Sequence, residues 1–421
     1  MNPQRLPELV DIGPGAAKRM AAFCAARNGA SGPGPLRLVA DSATWAAAGA
    51  DAERELRAAG LATRATVFDD ACLAADARAI FRLLVDDAPG ERLYIAVGAG
   101  TLTDIVRFTC HRTGHDFVSL ATAASVDAYS SVVAPILVDG MKRTFPTLAP
   151  VAVFADTETL ARSPRPMTAA GFGDMLCKFT ALADWRLGAL IWDEPFDEAI
   201  ALRSAAAARS CVDAVAAISA AQPAGLAVLM AALVESGLCM AEAGHSRPAS
   251  GAEHQYSHFW EMRLLREGRP PILHGLKVGI GTLEASRLWD RVRGLTKDDA
   301  ARLLDASRLP SRSSEEARIR NAFGNGTVEI IRGQERSLSM RESEFAALKR
   351  KVLDAWAEIS GFAASVPTST ETKRLLALAG CPTDASDLGL GAEETALGLS
   401  SAHYLRDRFT VKKLTLMLGL D

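Results

Sequence analysis

Short apolar segments alternate with amphipathic stretches from about residue 36 to residue 156. The apolar segments are LRLVA at 36–40, LATRATVF at 61–68, LYIAVG at 93–98, FVSLAT at 117–122 and PVAVFAD at 150–156. The stretches after the first three segments, such as TLTDIVRFTCHRTG, carry apolar residues at helical spacing. This alternation predicts βαβ units and therefore a parallel sheet.

The pattern changes after this region. SVVAPILVDGMKRTFP at 131–146 predicts a hairpin with a polar tip, and after ARSPRPMT at 161–168 nearly every stretch has helical spacing. We therefore predict a Rossmann-like α/β domain at residues 1–160 and an all-α domain at 161–421. The polar, Gly-containing stretch at 309–327 predicts an exposed loop within the helical part.

Composition excludes several classes of protein. The 47 Lys and Arg and 50 Asp and Glu give a net charge of −3 with no long run of either sign, so nothing indicates a nucleic-acid partner. The seven cysteines are scattered without a C-x-x-C pair, which is typical of reduced thiols in a cytoplasmic protein. The most apolar window, 224–243, contains Glu235 and Gly237, so we interpret it as a buried core helix without membrane insertion.

The first turn that suggests chemistry is YIAVGAGTLTD at 94–104, between a predicted strand and a predicted helix. Gly98 and Gly100 would let the backbone approach a pyrophosphate, and Thr101 could donate a hydrogen bond. Without the full G-x-G-x-x-G fingerprint, a plain tight turn is an equal alternative. The string GPG at 13–15 follows no predicted strand, and we interpret it as a loop.

A second small-residue turn, ATAASVDAYSS at 121–131, also follows a predicted strand. It offers Thr122, Ser125, Asp127 and Ser131 as polar groups. A loop whose side chains satisfy its own backbone is the alternative interpretation. Two such turns could converge on one ligand.

The helical part contains a candidate metal site. GFGDMLCK gives Asp174 after a Gly-x-Gly break, GAEHQYSH gives His254 and His258 at helical spacing, and LHGLK gives His274. One Asp with two His suits zinc or a similar divalent ion and leaves a position open. The alternative is a helix cap with hydrogen-bonded core histidines. No G-x-S-x-G elbow supports a serine hydrolase.

In their order along the chain, these motifs resemble the sn-glycerol-1-phosphate dehydrogenase family. The series is VGAGTLTD, TAASVDAYSS, APVAVFAD, GFGDMLCK, GAEHQYSH and LHGLKVGIG, and the tail SAHYLRDRFTVKKLTLMLGL is similar to the bacterial branch. This family stands within the group of glycerol dehydrogenases, iron-containing alcohol dehydrogenases and 3-dehydroquinate synthases. The resemblance implies the two-domain fold of that group.

The resemblance also implies roles for individual residues. Asp174, His254 and His274 would bind one divalent metal, with zinc, nickel and iron as candidates. Asp127, Asp174 and His258 would contact substrate and act in catalysis, and Asp41 would meet the adenosine side of the cofactor. The remaining residues would line the pyrophosphate of NAD(H) or NADP(H): Gly98, Ala99, Gly100, Thr101, Leu102, Thr122, Ala123, Ala124, Ser125 and Ser131. This chain departs from the family at Ala99, where a glycine is usual, and at Ala121, where a proline is usual.

The implied reaction interconverts dihydroxyacetone phosphate and sn-glycerol 1-phosphate, in a cytoplasmic homo-oligomer that acts on a small phosphorylated substrate. Lys142, Arg143, Lys178 and Lys277 are unranked candidates for the substrate phosphate, with solvated surface charge as the alternative.

Three other functions stay open. Another glycerol, polyol or alcohol dehydrogenase would turn over a substrate without phosphate. A 3-dehydroquinate synthase-like lyase would need a denser set of basic side chains, and the TAAS and EHQYSH strings argue against it. A noncatalytic nucleotide-binding protein would have an incomplete metal site.

Overall fold

Two compact units make up the chain, as seen in a computed structural model of the protein. The structure describes residues 6–31, 34–70, 73–87, 90–91, 93–138 and 141–420. Unit 1 comprises residues 1–175 and 206–245, and unit 2 comprises residues 176–205 and 246–421. The units are groups of residues that pack together, and the domain boundary at residue 160 stays a prediction.

Strands occur only in unit 1 among the described residues. The strands are β1 Leu9–Ile12, β2 Leu36–Asp41, β3 Thr63–Phe68, β4 Leu93–Gly98, β5 Asp116–Ala121, β6 Val133–Val138, β7 Met141–Pro146 and β8 Ala152–Ala155. The helices up to residue 245 are α1 Ala16–Ser31, α2 Ser42–Thr44, α3 Ala50–Ala58, α4 Ala77–Asp86, α5 Gly100–Thr113, α6 Thr157–Arg162, α7 Arg165–Leu176, α8 Lys178–Trp192, α9 Glu198–Asp213, α10 Val215–Ser219 and α11 Pro223–Ala243. A short π-helical segment, Trp45–Gly49, joins α2 to α3.

The remaining helices belong to unit 2. These helices are α12 Ala252–Arg266, α13 His274–Arg293, α14 Lys297–Ala306, α15 Arg312–Phe323, α16 Thr327–Gly333, α17 Glu335–Leu338, α18 Glu342–Asp354, α19 Trp356–Ser365, α20 Ser369–Leu378, α21 Ala392–Ser401 and α22 Val411–Leu418. Short 3-10 turns occur at Gly324–Gly326, Ala385–Leu388 and Ala402–Leu405.

The parallel sheet predicted from the apolar segments is confirmed. Six strands pair in the order β1-β8-β5-β4-β2-β3, every pairing being parallel, and β6 and β7 form the predicted antiparallel hairpin. Residues 139–140 at the hairpin tip lie outside the described residues. The chain reverses its direction across the sheet between β2 and β4, and a reversal of this kind is where doubly wound sheets bind ligands, outside the carboxyl ends of the strands.

Alternate side chains along a strand are buried on opposite faces of the sheet. Leu36, Leu38 and Ala40 belong to one core cluster with residues of α1 and α3, whereas Val39 belongs to the cluster that α4 and α5 cover. This two-residue period is the expected geometry of a strand. Helices on both faces explain why the strands are almost continuously apolar.

The sequence interpretation missed the first strand. β1 pairs with β8, and Gly13–Gly15 connects it to α1, so the expectation that GPG follows no strand was wrong. The N–H groups of Gly15 and Ala16 donate to Asp156 Oδ2 at 2.7 and 3.2 Å. This carboxylate therefore caps the start of α1 from the end of β8.

Unit 2 is built around a helical core that contains Trp260, Trp289 and Trp356. The exposed loop expected at 309–327 was wrong, because α15 occupies most of that stretch and buries Ile319 and Phe323. Ser311 caps this helix by accepting the N–H of Ser314 at 3.2 Å. Most residues of α15 are polar and only a few apolar residues are buried, so the sequence pattern did not predict this helix.

The apolar window at 224–243 lies in α11 of unit 1. α11 is the one helix of the described chain that is long and apolar enough to cross a bilayer by length and composition. It packs against α6 and α10, and 61% of its apolar window is buried within the protein. This packing matches the core helix that the interruptions at Glu235 and Gly237 predicted.

Candidate active site

The reversal point of the sheet places the first predicted turn. Asp41 ends β2, where its side chain accepts the N–H of Thr44 at 2.7 Å, and Gly98 ends the neighbouring β4. Ala99 is the N-cap of α5, with φ −101° and ψ −158°, so the first amides of this helix follow directly. Such free N-terminal amides are suited to a phosphate group.

Residues of this turn differ in what they can present to a ligand. Thr101 is exposed, whereas Leu102 is 2% exposed and packs in the core against Ala96 and Ile105. The side chain of Leu102 is therefore part of the core and not of the surface that a ligand would meet. The hydroxyl of Thr103 donates to the carbonyl of Ala99 at 2.9 Å and helps to fix the turn.

The second predicted turn lies beside the first. Gly98 and Ala121 are register partners in β4 and β5, and the N–H of Thr122 donates to the carbonyl of Gly98 at 3.2 Å. A Cβ atom on Gly100 would lie 3.0 Å from Val126, so the two turns are in van der Waals contact. The structure therefore brings together the two turns, and Thr122, Ala123, Ala124 and Ser125 are all buried there.

Arg107 holds this second turn, and the sequence interpretation missed it. Its buried guanidinium donates to the carbonyls of Ala128, Tyr129 and Val133 at 2.5, 3.1 and 3.3 Å and to Asp104 Oδ1 at 2.8 Å. Burial raises the pKa of Asp104 to about 6 even though Arg107 lowers it. Its position two turns into α5 gave no motif by which the sequence could identify it.

Two glycines allow helices to approach the same turn closely. A Cβ atom on Gly171 in α7 would lie 2.0 Å from the carbonyl oxygen of Ala124, and one on Gly237 in α11 would lie 2.3 Å from Ser130 Oγ. Any side chain at these positions would push α7 or α11 away from the turn. The Gly-x-Gly break expected before Asp174 was wrong, because both glycines lie within the continuous helix α7.

The turn also satisfies part of its own backbone. Ser131 Oγ accepts the N–H of Val133 at 3.1 Å, and the hydroxyl of Tyr129 donates to the carbonyl of Ala123. Ser131 is therefore engaged in the way that the alternative interpretation of this turn describes.

Asp127 and Asp174 are joined in unit 1. The N–H of Asp127 donates to Asp174 Oδ2 at 3.0 Å, and Ser236 Oγ donates to Asp127 Oδ2 at 2.8 Å. Asp174 is completely buried and Asp127 is 8% exposed. Ser236 is a positioning residue that the apolar composition of α11 concealed.

Three histidines cluster in unit 2. The ring centroids of His254 and His274 are 5.3 Å apart, those of His258 and His274 are 5.6 Å apart, and those of His254 and His258 are 6.0 Å apart. His254 and His258 are one turn apart on α12, and His274 begins α13. His254 is buried, whereas the other two are half-buried. The histidines identified from the sequence therefore converge.

Glu253 orients His254. Glu253 Oε1 lies 3.1 Å from His254 Nδ1 and accepts the N–H of Gly251 at 2.5 Å, while its Oε2 accepts from Thr180 at 2.8 Å. Cys177, Glu253 and His254 form a second group that could hold a metal. Because both oxygens of Glu253 already accept hydrogen bonds, we interpret it as fixing the orientation of the imidazole and not as a metal ligand.

Asp174 stands just before this group along the chain. Cys177, the N-cap of α8, has helical backbone angles and follows Asp174 by three residues along the chain. Cys177 Sγ lies 3.9 Å from His254 Nδ1.

The basic candidates for a substrate phosphate separate into two kinds. Lys178 and Lys277 are almost fully buried, so the alternative that they are solvated surface charges was wrong for these two. Lys277 Nζ donates to the carbonyl of Ile272 at 2.5 Å. Lys142 and Arg143 lie in the hairpin strand β7, and Arg143 is exposed.

Asp184 should make the stability of unit 2 depend on pH. This buried carboxylate accepts the N–H groups of Ala252 and Val411 at 2.8 and 2.7 Å, and burial, with the nearby charge of Glu253, raises its pKa to about 8. A folded pKa above the unfolded value means that only the folded state holds the proton from about pH 4 to 8. The free energy of unfolding should therefore fall as pH rises through this window.

The variant Asp184→Asn isolates this effect. We expect it to lose some stability, because an amide offers one acceptor oxygen in place of two, and to have a flatter dependence of unfolding on pH. Urea unfolding at pH 5 to 9 measures both proteins. If the free energy of unfolding changed with pH in the same way in both proteins, Asp184 would not be the source of the pH dependence.

Comparisons with known proteins agree with this fold. The iron-containing alcohol dehydrogenase family matches residues 11–164. A glycerol-1-phosphate dehydrogenase (NAD(P)+) from Halalkalibacterium halodurans is 34% identical over 379 residues, which are 89% of this chain and 85% of that protein. A protein of the same name from Bacillus velezensis is 46% identical over 245 residues, which are 58% of this chain and 62% of that protein.

Solved structures share the fold at lower identity. An iron-containing alcohol dehydrogenase from Corynebacterium glutamicum has a TM-score of 0.60 at 14% identity and covers 100% of this chain and 95% of its own. A glycerol dehydrogenase from Schizosaccharomyces pombe has a TM-score of 0.56 at 17% identity, covering 86% and 91%. Together with the relative that matches over most of both lengths, these similarities show that the chain belongs to the glycerol-1-phosphate dehydrogenase family.

Proposed function

We propose that the protein interconverts dihydroxyacetone phosphate and sn-glycerol 1-phosphate with NAD(P) and one divalent metal. The observation that carries the proposal is the cluster of His254, His258 and His274 in a member of this family. The relatives at 34% and 46% identity carry the name of this activity. A small phosphorylated ketone is therefore the proposed substrate.

The donor set fits a metal of the zinc type. Asp174, His254 and His274 would each supply one ligand atom, a carboxylate oxygen or an imidazole nitrogen. Glu253 holds the other nitrogen of His254, as is usual for histidines that bind metals. A metal bound there would act as a Lewis acid toward the substrate carbonyl. Zinc is the proposed ion, with nickel and iron as alternatives.

The cofactor is proposed to bind at the reversal point of the sheet. The amides after Gly98 would donate to the pyrophosphate, and the buried turn at 122–125 would form the wall beside it. Asp41 at the end of β2 would accept from the adenosine side. When bound, NAD(P)H supplies the hydride.

Two protein groups would handle the substrate. His258 lies 3.7 Å from Glu261 and is half-exposed, so it can orient a substrate hydroxyl or exchange a proton with solvent. Asp127 is held by Ser236 and would accept a hydrogen bond from the substrate. The predicted homo-oligomer and cytoplasmic location stay predictions.

The test compares two substrates on protein of known metal content. We expect NADH or NADPH oxidation with dihydroxyacetone phosphate, its loss after chelation and its return with added metal. Oxidation of glycerol with NAD is the parallel assay. If metallated, folded protein turns over glycerol and not the phosphorylated ketone, the substrate is a polyol and the proposal is wrong.

The cofactor turn carries a prediction of its own. The Cβ of Ala99 stands between Gly98 and Gly100, where a methyl group would lie against the proposed pyrophosphate. We expect Ala99→Gly to lower the Kd for NAD(P)H by about 3- to 10-fold and Ala99→Val to raise it, with little change in kcat. Fluorescence titration of the cofactor measures this series. An unchanged Kd in both variants would place the pyrophosphate elsewhere.

A further inference from the structure

Two arginines of unit 2 converge on one hydroxyl group. Arg406 Nη1 donates to Ser246 Oγ at 2.8 Å, and Arg408 Nη2 donates to the same oxygen at 3.0 Å. Arg408 Nη1 also donates to the carbonyl of Ser250 at 2.9 Å. Two positive charges therefore lie within roughly 6 Å of each other around a neutral atom.

No carboxylate pairs with either arginine. Among the described residues, neither Arg406 nor Arg408 has a carboxylate oxygen within 4.0 Å. Asp407 stands between them in the chain, but its Oδ1 accepts from Lys413 at 2.5 Å and from Ser337 at 2.7 Å. An unbalanced, partly buried pair of like charges is costly unless an anion completes it.

Other charges nearby are already engaged. Arg247 forms an ion pair with Glu194, and Asp184 accepts two backbone N–H groups. Burial lowers the pKa of Arg408 well below its ordinary value, the charges of Arg406 and Arg247 lower it further, and Glu253 and Asp184 offset part of this. Burial also lowers the pKa of Arg406. The charged forms of both arginines are therefore disfavoured, and an anion beside them would stabilise those forms.

The group is accessible and has a hydrogen-bond donor to spare. Arg406, Arg408 and Ser246 are each half-buried, so each residue keeps some contact with solvent. A serine hydroxyl has two lone pairs and one proton. Because both arginines donate to Ser246 Oγ, its own proton is available for an oxygen of a ligand.

We propose that Arg406, Arg408 and Ser246 bind the phosphate group of the substrate. Guanidinium groups suit phosphate because they present planar pairs of donors, and a phosphate beside them would favour their charged form. This inference rests on the proposed function, since it assigns the phosphorylated end of the same substrate. Arg406 and Arg408 were not among the basic residues that the sequence suggested for this role.

The local chain connects this group to the metal ligands. The carbonyl of Ser250 accepts from Arg408, and the preceding carbonyl, that of Ala249, accepts from Cys177 Sγ at 3.5 Å. Cys177 Sγ is in turn 3.9 Å from His254 Nδ1. The consecutive carbonyls of Ala249 and Ser250 therefore connect Arg408, through Cys177, to the metal-ligand candidate His254.

The first test separates phosphate binding from a structural role. We expect Arg406→Gln and Arg408→Gln each to raise KM for dihydroxyacetone phosphate about 10- to 100-fold. The kcat/KM for unphosphorylated dihydroxyacetone should change less than about threefold, because that substrate lacks the recognised group. The control is Arg293→Gln, which also loses hydrogen bonds to backbone carbonyls, those of Ala363 and Val366, and should leave KM unchanged.

If the glutamine variants lost kcat/KM equally for dihydroxyacetone phosphate and for dihydroxyacetone, the proposal would be overturned, since a purely structural role predicts equal losses. Ser246→Ala keeps both charges and removes only the hydroxyl, so it guards against variants that fail to fold. We expect it to raise KM for the phosphorylated ketone about 3- to 10-fold. An unchanged KM in this variant and in both glutamine variants would also overturn the proposal.

The second test does not depend on turnover. Inorganic phosphate, compared with chloride at equal ionic strength, should raise the melting temperature of the wild-type protein, with a much smaller effect in the glutamine variants. Phosphate stabilisation without turnover of dihydroxyacetone phosphate would keep the anion site and overturn the proposed function. Turnover with no phosphate stabilisation and unchanged KM values would keep the function and overturn the site.

Discussion

His254→Ala is expected to lower kcat/KM for dihydroxyacetone phosphate at least about 10³-fold and to remove most of the bound metal. A Lewis acid supplies several kcal/mol to such a reaction, and each 1.36 kcal/mol corresponds to a factor of ten. His274→Ala and Asp174→Asn should behave in the same way. Metal analysis and steady-state kinetics on the same protein samples measure both effects.

The matched control is His111→Ala, because His111 is an exposed histidine at the last turn of α5. It should keep full metal content and activity. Glu253→Gln should have an effect between those of His254→Ala and His111→Ala, with metal affinity about 10- to 100-fold weaker than in the wild type. The reason is that Glu253 contacts His254 Nδ1 and would not itself bind the metal. Full activity in His254→Ala with normal metal content would contradict the ligand assignment.

Arg107→Leu is expected to lower the free energy of unfolding by about 3–5 kcal/mol and to weaken NAD(P)H binding more than tenfold. The substitution leaves Asp104 buried without its partner, which is the costly way to break a buried ion pair. It also releases the carbonyls of Ala128 and Tyr129 in the turn beside the proposed cofactor wall, and the carbonyl of Val133 at the start of β6. Thermal unfolding and cofactor titration measure the two effects.

Arg37→Leu is the control for this prediction. Arg37 is also a buried arginine, and it donates to both oxygens of Glu91 at 2.7 Å, but it lies near the amino end of β2, away from the cofactor turns. Both variants should lose stability, and only Arg107→Leu should lose cofactor affinity at a temperature where both are folded. Equal losses of affinity would show that Arg107 acts on the whole unit and not on the turn.

Local signals in the sequence predicted much of the fold and of the site. Strands such as LYIAVG can be predicted from their continuous apolar residues. The four-residue spacing of His254 and His258 predicts that they share a helix face. β1 escaped notice because only four residues pair, with Leu9 and Val10 still partly exposed at the sheet edge. α15 escaped because polar residues dominate its exposed face.

The parts that sequence could not predict depend on contacts between distant segments. Ser236 is 109 residues from Asp127, and Arg406 is 160 residues from Ser246. Neither residue type nor spacing marks such partners before the chain is folded. For Lys178 and Lys277, likewise, the sequence left solvated surface charge open as an alternative to phosphate binding, although both are buried.

The return of residues 206–245 to unit 1 has a consequence for folding during synthesis. Ser236 and Gly237 reach the cofactor turn only after more than half of the chain has left the ribosome, since α11 ends at Ala243. Until then, residues 122–131 lack the helix that packs against them. Unit 1 should therefore complete its folding during synthesis only after residues 206–245 have emerged. These residues follow residues 176–205, which belong to unit 2.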